Sequence, residues 1–241
     1  MSYMDLMLRI NPLVLEEKYK SREFTARAKT PFVVRVDGVG FHRLPEVYEK
    51  PRDLRVHSAL LAAAYQVVAR YGFFGAYIVS DEASFIVLSN PPYNGRVEKL
   101  LSIISSIVSS RMSLILGYQV LFDAKVIELK DLSEVYEYVL FRARIGFGNF
   151  IGSLASMKGL WKEKRPTLGK QLAELKEKGI DLSSISVWKK LGSSIVWDRY
   201  VKKTINPLTG EEIIVSRRRA RVYPGPWKLL EAVKSISWRH H

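Results

Sequence analysis

Two short segments of this 241-residue chain carry residue types able to handle phosphates. The first follows the apolar run Phe32-Val33-Val34-Arg35-Val36, which reads as a buried strand. That strand delivers Asp37 into the loop Gly38-Val39-Gly40-Phe41-His42, where two glycines let bare backbone approach a ligand closely. A carboxylate at a strand end followed by such a loop suits a hard cation and the phosphates it carries. The second segment is Ser80-Asp81-Glu82, read as the tip of a hairpin between Ala76–Val79 and Ser84–Leu88. If Asp37 and Asp81 converge, their oxygens can share Mg²⁺ whose remaining positions go to water and phosphate.

The elements that would bring them together follow a simple order. After the first strand, Asp53 caps a helix whose apolar face is Leu54, Leu60, Leu61, Ala64, Val67 and Val68, and Tyr71-Gly72 ends it. The hairpin comes next, then a long helix over 97–116 and a fourth strand over 119–129. Strand, helix, strand, strand, helix, strand is the split βαβ pattern of a ferredoxin-like α+β sheet with helices on one face. In that topology the first strand lies beside the hairpin, so Asp37, Ser80, Asp81 and Glu82 meet although more than forty residues separate them. Polymerase-type palm domains use this arrangement for two-metal nucleotidyl transfer.

The remainder is different in charge. The last 101 residues hold 21 Lys and Arg against 8 Asp and Glu, whereas the first 140 hold 17 against 16, so nearly all of the +14 lies after residue 140. A basic C-terminal region, 141–241, therefore follows a catalytic domain, 1–140, and is the footprint of a polyanion partner. Here a helical pattern from Asp131 loosens at the glycines of 145–150. A helix is expected over 168–178, and strands over 195–200 and 212–222. The second strand carries Arg217, Arg218, Arg219 and Arg221, candidates for contacts with the phosphates of that partner. Trp161, Trp188 and Trp197 read as packing residues before stacking platforms. The absence of Cys excludes thiolate chemistry and cysteine zinc sites. No uninterrupted apolar run of 18 residues occurs, and a cytoplasmic, non-membrane protein is expected.

Taken together, these motifs resemble the tRNA(His) guanylyltransferase family, in particular its archaeal and Thg1-like branch of 3′–5′ nucleotide-adding enzymes. The matching pieces are Val34-Arg35-Val36-Asp37-Gly38 with Gly40-Phe41-His42-Arg43, then Lys50-Pro51-Arg52-Asp53-Leu54-Arg55, Ser80-Asp81-Glu82-Ala83-Ser84-Phe85 and Phe122-Asp123-Ala124-Lys125-Val126. Asn206-Pro207-Leu208-Thr209-Gly210-Glu211 is similar, less specifically. The resemblance implies a palm that adds nucleotides to the 5′ end of tRNA, using ATP, GTP or other nucleoside triphosphates and two Mg²⁺. It assigns the metals to Asp37, Asp81 and the Gly38 carbonyl. The triphosphate falls to Gly38, Val39, Gly40, Phe41 and His42, with Lys50, Asp53 and Ser80. Glu82 matches the family's third acid, and a homo-oligomer, a tetramer, is implied.

The eukaryotic members' His-x-Asn-Asn segment is not reproduced: Phe147 stands at the histidine and only Asn149 matches. That departure points towards template-dependent addition or 5′-end repair rather than untemplated guanylation. Two other classes stay open on the residues alone, a palm-fold nucleotidyl cyclase and a non-catalytic tRNA-binding protein. The basic C-terminal half argues against the first. The clustered acids, which repel one another without a cation, argue against the second.

Overall fold

The computed structural model describes residues 9, 11–41, 47–160 and 166–237. In chain order its elements are α1 (Pro12–Lys20), β1 (Phe32–Val39), α2 (Leu54–Tyr71), β2 (Gly75–Val79), β3 (Glu82–Val87), α3 (Val97–Leu116), β4 (Leu121–Glu128), α4 (Leu132–Met157), α5 (Leu168–Glu177), α6 (Val187–Leu191), β5 (Ser193–Ile205), β6 (Glu212–Pro224) and α7 (Trp227–Ser237). The strands form one antiparallel sheet in the order β4-β1-β3-β2-β5-β6. Its first four members have the expected βαββαβ topology.

Alternation along the strands sorts side chains into two cores. On one face Phe32, Val34 and Val36 of β1, Ala76 and Ile78 of β2, and Ala83 and Phe85 of β3 are buried against α2 and α3. Helix α2 is capped as its sequence dictates: the Asp53 carboxylate accepts from the N–H groups of Arg55 and Val56, and Gly72 closes the C-terminus. Helix α3 is, by length and composition alone, apolar enough to cross a membrane. Its row Leu100, Ile104, Val108 and Met112 packs into this core. Ser109 and Ser113 of α3 accept the N–H groups of Phe122 and Val120 at 3.0 Å, fastening the start of β4.

The opposite face is covered too, which corrects the expectation of helices on one side only. Val33, Tyr77, Val79 and Ile86 pack there against Val135, Val139 and Ala143 of α4 and Leu229, Leu230 and Val233 of α7. Helix α4 does not loosen at residues 145–150 but runs unbroken from Leu132 to Met157. Gly146 is there for packing: a Cβ would lie 2.3 Å from Val79 Cγ2, so only glycine lets the helix approach β2 this closely. The expected boundary at 140/141 falls inside this helix, and β5 of the basic region pairs directly with β2. Both C-terminal strands are longer than their sequence pattern suggested, since each supplies backbone pairing to the other over thirteen residues.

Candidate active site

Register places the two chemistry-bearing segments at one end of the sheet. Asp37 pairs with Glu82, and the Gly38 N–H donates to the Asp81 carbonyl at 3.0 Å. On its other side Asp37 pairs with Asp123 of β4. Burial, then the neighbouring Asp81, and further off Asp123, push the Asp37 carboxyl above its usual value, against the opposing pull of Arg35 and Arg142. Acids gathered this way favour a cation or a proton between them. Among the described residues no three Asp, Glu, His or Cys form a closed metal cage. Two carboxylates and a main-chain carbonyl are instead a donor set that fits Mg²⁺ when nucleotide phosphates and water complete the shell.

The hairpin tip is smaller than its sequence indicated. Only Ser80 and Asp81 form the turn, with Ser80 at φ 58°. Glu82 is the first residue of β3, 5 % exposed, and its carboxylate accepts from both Nε and Nη2 of Arg142, with Ser84 Oγ a further donor at 3.2 Å. Burial raises the Glu82 carboxyl and Arg142 works against that rise. Neighbours in sequence thus have opposite surroundings: Asp81 faces the cleft, and Glu82 is held in a buried ion pair.

The expected loop starts later than its sequence indicated: Gly38 and Val39 still belong to β1, Val39 and Gly40 are exposed, and the Phe41 ring folds back over Gly38, where a Cβ would lie 2.3 Å from the ring. Phe41 meets Phe122 edge-on at 5.2 Å. His42 lies outside the described residues, as do Arg43, Trp161, His240 and His241. A cleft of about 310 Å³ opens between this loop and the hairpin turn. Phe41, Lys50, Asp53, Ser80 and Asp81 all line it. Five separate expectations from sequence thus meet in one cavity. Within it Asp53 is occupied by its own backbone and by Arg55, accepting five hydrogen bonds from Glu49, Arg55 and Val56, which hold its carboxyl well below the usual range. It shapes the loop that presents Lys50.

Other wall residues were not anticipated: Tyr48, Glu49, Arg52, His57 and Ser153. Arg52 is 8 % exposed and donates to the carbonyls of Gly146, Lys189 and Lys190 at 2.7, 2.8 and 3.2 Å, over the ring of Phe150. Burial lowers its pKa to about 10. His57 is buried against Trp188 at 4.8 Å and bonds Ser193 Oγ at 2.9 Å, and burial holds its pKa down to about 4. Ser153 lies two helical turns beyond Gly146 on α4, a spacing visible only once the helix is read through its glycines.

Lys99 does not approach the cleft. Helix α3 leads through Gly117 into the start of β4, which pairs with Val39, so its N-terminal turn lies at the far end of a 20-residue helix. The arginines also lie far away. Strand β5 pairs with β2 only over Ser193–Val196 and then continues past Gly75 with β6 alone. Arg221 is level with Val196 and Arg217 with Tyr200, so the cluster stands about 20 to 35 Å from the Ser80-Asp81 turn at roughly 3.3 Å per residue. Alternation puts Arg217, Arg219 and Arg221 on one face and Arg218 on the other. Arg219 stacks on Tyr200 at 5.1 Å and Arg218 on Trp197 at 4.8 Å.

Comparison with known proteins agrees with this geometry. A bacterial tRNA(His) guanylyltransferase (Thg1)-like protein in complex with GTP superposes with a TM-score of 0.71 at 20 % identity, over 91 % of this chain and 97 % of that one. The tRNA(His) guanylyltransferase of Saccharomyces cerevisiae superposes at 0.62 and 23 % identity, over 73 % and 90 %. At these identities the likeness establishes the fold. In sequence, an uncharacterized protein of Acanthamoeba polyphaga mimivirus is 26 % identical, over 79 % of this chain and 76 % of its own. The tRNA(His) guanylyltransferase of Debaryomyces hansenii is 34 % identical over 48 % of this chain and 44 % of its own, and that of Schizosaccharomyces pombe 38 % over 34 % and 33 %. The chain spans less than half the length of either fungal enzyme. The family model for Thg1, tRNAHis guanylyltransferase, matches residues 16–145, more than half of the chain. With the palm-like sheet and the converging Asp37 and Asp81, that match makes this protein a member of the tRNA(His) guanylyltransferase family, and so a nucleotidyltransferase.

Proposed function

We propose that this protein adds nucleotides to the 5′ end of tRNA, growing the strand in the 3′–5′ direction, with nucleoside triphosphates as substrates and Mg²⁺ bound at Asp37, Asp81 and the Gly38 carbonyl. The observation that carries the reading is the single cleft in which Asp81, Ser80, Lys50 and Phe41 meet beside Asp37. Bound Mg²⁺ would supply Lewis-acid activation of the attacking hydroxyl and neutralisation of phosphate charge. Asp37 and Asp81 would present the negative charge that holds it, and the repulsion that raises the Asp37 carboxyl would be relieved by a cation there. Lys50 sets a cation on the wall against the triphosphate as charge develops there. Gly40, exposed and with open space around it, lets a phosphate approach bare backbone. Glu82, locked to Arg142, supports the floor of the site rather than exchanging protons with substrate.

The C-terminal ribbon would meet tRNA away from the reacting end, through phosphates and without reading sequence. Templated addition or 5′-end repair is favoured over untemplated guanylation because Phe147, at the family's histidine, is half-buried in a hydrophobic cluster with Phe150 and Leu175, while Asn149 is exposed.

Two tRNA transcripts test this, full-length tRNA(His) and a different tRNA lacking its first nucleotide, each with Mg²⁺, ATP and all four nucleoside triphosphates. Templated extension of the truncated tRNA supports repair, and extension of tRNA(His) alone supports guanylation. Extension of neither, with tRNA binding intact, removes the enzyme reading.

A further inference from the structure

The loop that presents Lys50 is held from outside the palm. Residues on either side of Lys50 reach the same short helix, α6, some 140 positions further along the chain. The Glu49 carboxylate pairs with Lys189 Nζ. The Arg52 guanidinium donates to the main-chain carbonyls of Lys189 and Lys190 and, with its other nitrogen, to Gly146 in α4. Among the described residues Arg52 makes no ion pair within 4 Å, so this buried cation takes its hydrogen bonds from backbone carbonyls and lies over an aromatic ring, with Tyr77 and Asp81 adding a longer-range pull. A planar fork reaches the two helices with separate nitrogens in a fixed geometry, which the compact ammonium of lysine does not reproduce. Helix α6 leads through Gly192 into β5, the strand that carries the arginine ribbon's base.

We propose that Arg52 is a positioning residue for Lys50: with Glu49 it fastens the Lys50 loop to α6, so the geometry of the nucleotide cleft is set by the C-terminal region. This rests on the reading that Lys50 meets the triphosphate. A simple fold staple at Arg52 would affect stability alone, whereas a positioning residue affects nucleotide affinity and does so through Lys50.

The test is a double-mutant cycle read by Mg-GTP binding in a calorimeter, with the thermal midpoint of each protein measured alongside. Arg52→Lys is expected to weaken GTP about tenfold, the loss of a directed bond to a charged group. Glu49→Gln, whose side chain is 62 % exposed, is expected to weaken it about twofold in the same direction. Arg52→Lys added to Lys50→Ala should cost nothing beyond Lys50→Ala alone. Unchanged affinity in folded Arg52→Lys, or losses that multiply in the double variant, would overturn the proposal. If Arg52→Lys does not fold, Glu49→Gln with Lys50→Ala decides by the same criterion. Wild-type protein that binds GTP but extends no tRNA would sink the enzyme reading and leave this inference to the cycle. Wild-type protein that binds no GTP would overturn both.

Discussion

The two charged ends of the sheet are built on opposite principles. At one end Asp81 lines a cleft with Asp37 beside it, and burial and the repulsion of Asp81 raise the Asp37 carboxyl. At the other, Arg217, Arg218, Arg219 and Arg221 stand exposed on a two-stranded ribbon, moderated by Tyr200, Trp197 and, 3.6 Å from Arg221, Asp198. The first end concentrates charge at a point, which selects a small, hard counter-ion. The second spreads charge along some 10 to 15 Å, which suits a polymer of phosphates. Their separation implies that chemistry and substrate holding can be broken independently.

The largest effect is expected at the acids. Asp37→Asn or Asp81→Asn should lower nucleotide addition by about a thousandfold while leaving tRNA affinity near wild type. Because the folded protein raises the Asp37 pKa, wild-type stability without Mg²⁺ falls as pH rises through that value. Asp37→Asn should therefore melt higher than wild type in EDTA at neutral pH and lose the rise in midpoint on adding Mg²⁺. A parallel loss of tRNA binding would mean that the two ends are not separate.

Next is the ion pair beneath the cleft. Arg142→Met leaves Glu82 charged and buried at 5 % exposure, and should cost about 3 to 5 kcal/mol by urea unfolding at neutral pH. The Glu82 carboxyl would rise further, so the deficit should shrink as pH falls and the acid takes up its proton. Glu82→Gln/Arg142→Met should recover part of the loss. If Arg142→Met is as stable as wild type, Glu82 is not held as the structure shows and its role as a proton-exchanging acid reopens.

A third effect tests the seam between the two halves. His57 is neutral when folded, with a pKa of about 4, whereas an unfolded histidine titrates near 6.5. The unfolded chain therefore gains a proton first on acidification. Stability is lost between about pH 6.5 and 4, by up to about 3 kcal/mol. His57→Phe should retain the stack on Trp188 and show a flatter acid limb in urea midpoints over that window.

Much of this was legible from residues alone. Capping at Asp53, the helix at 97–116, the βαββαβ order and the meeting of Asp37 with Ser80 and Asp81 depend on local patterns, and local patterns are what a sequence displays. What escaped is contact-determined. Gly146 signals a break by propensity, yet here it is the small residue that lets α4 approach Val79. Glu82 belongs with Ser80 and Asp81 by sequence but to Arg142, sixty positions later, by packing. Arg52 sits within the Lys50 motif, and nothing local shows that three distant carbonyls bury it.

The smallest effects, and the sharpest reading of the contrast, belong to single arginines. Each side chain that meets a phosphate should lower the slope of log affinity against log salt by about one when replaced by Gln, and weaken binding alike for all tRNA sequences. Arg217, Arg219 and Arg221 share one face with Tyr200, and Arg218 lies on the other with Trp197. An RNA helix lying on the first face would give three variants with reduced slopes and an Arg218→Gln variant with the wild-type slope. Equal effects at all four would require RNA to wrap the ribbon. No effect at any would move the tRNA surface elsewhere in the basic half, to the exposed Lys170 and Lys176 of α5.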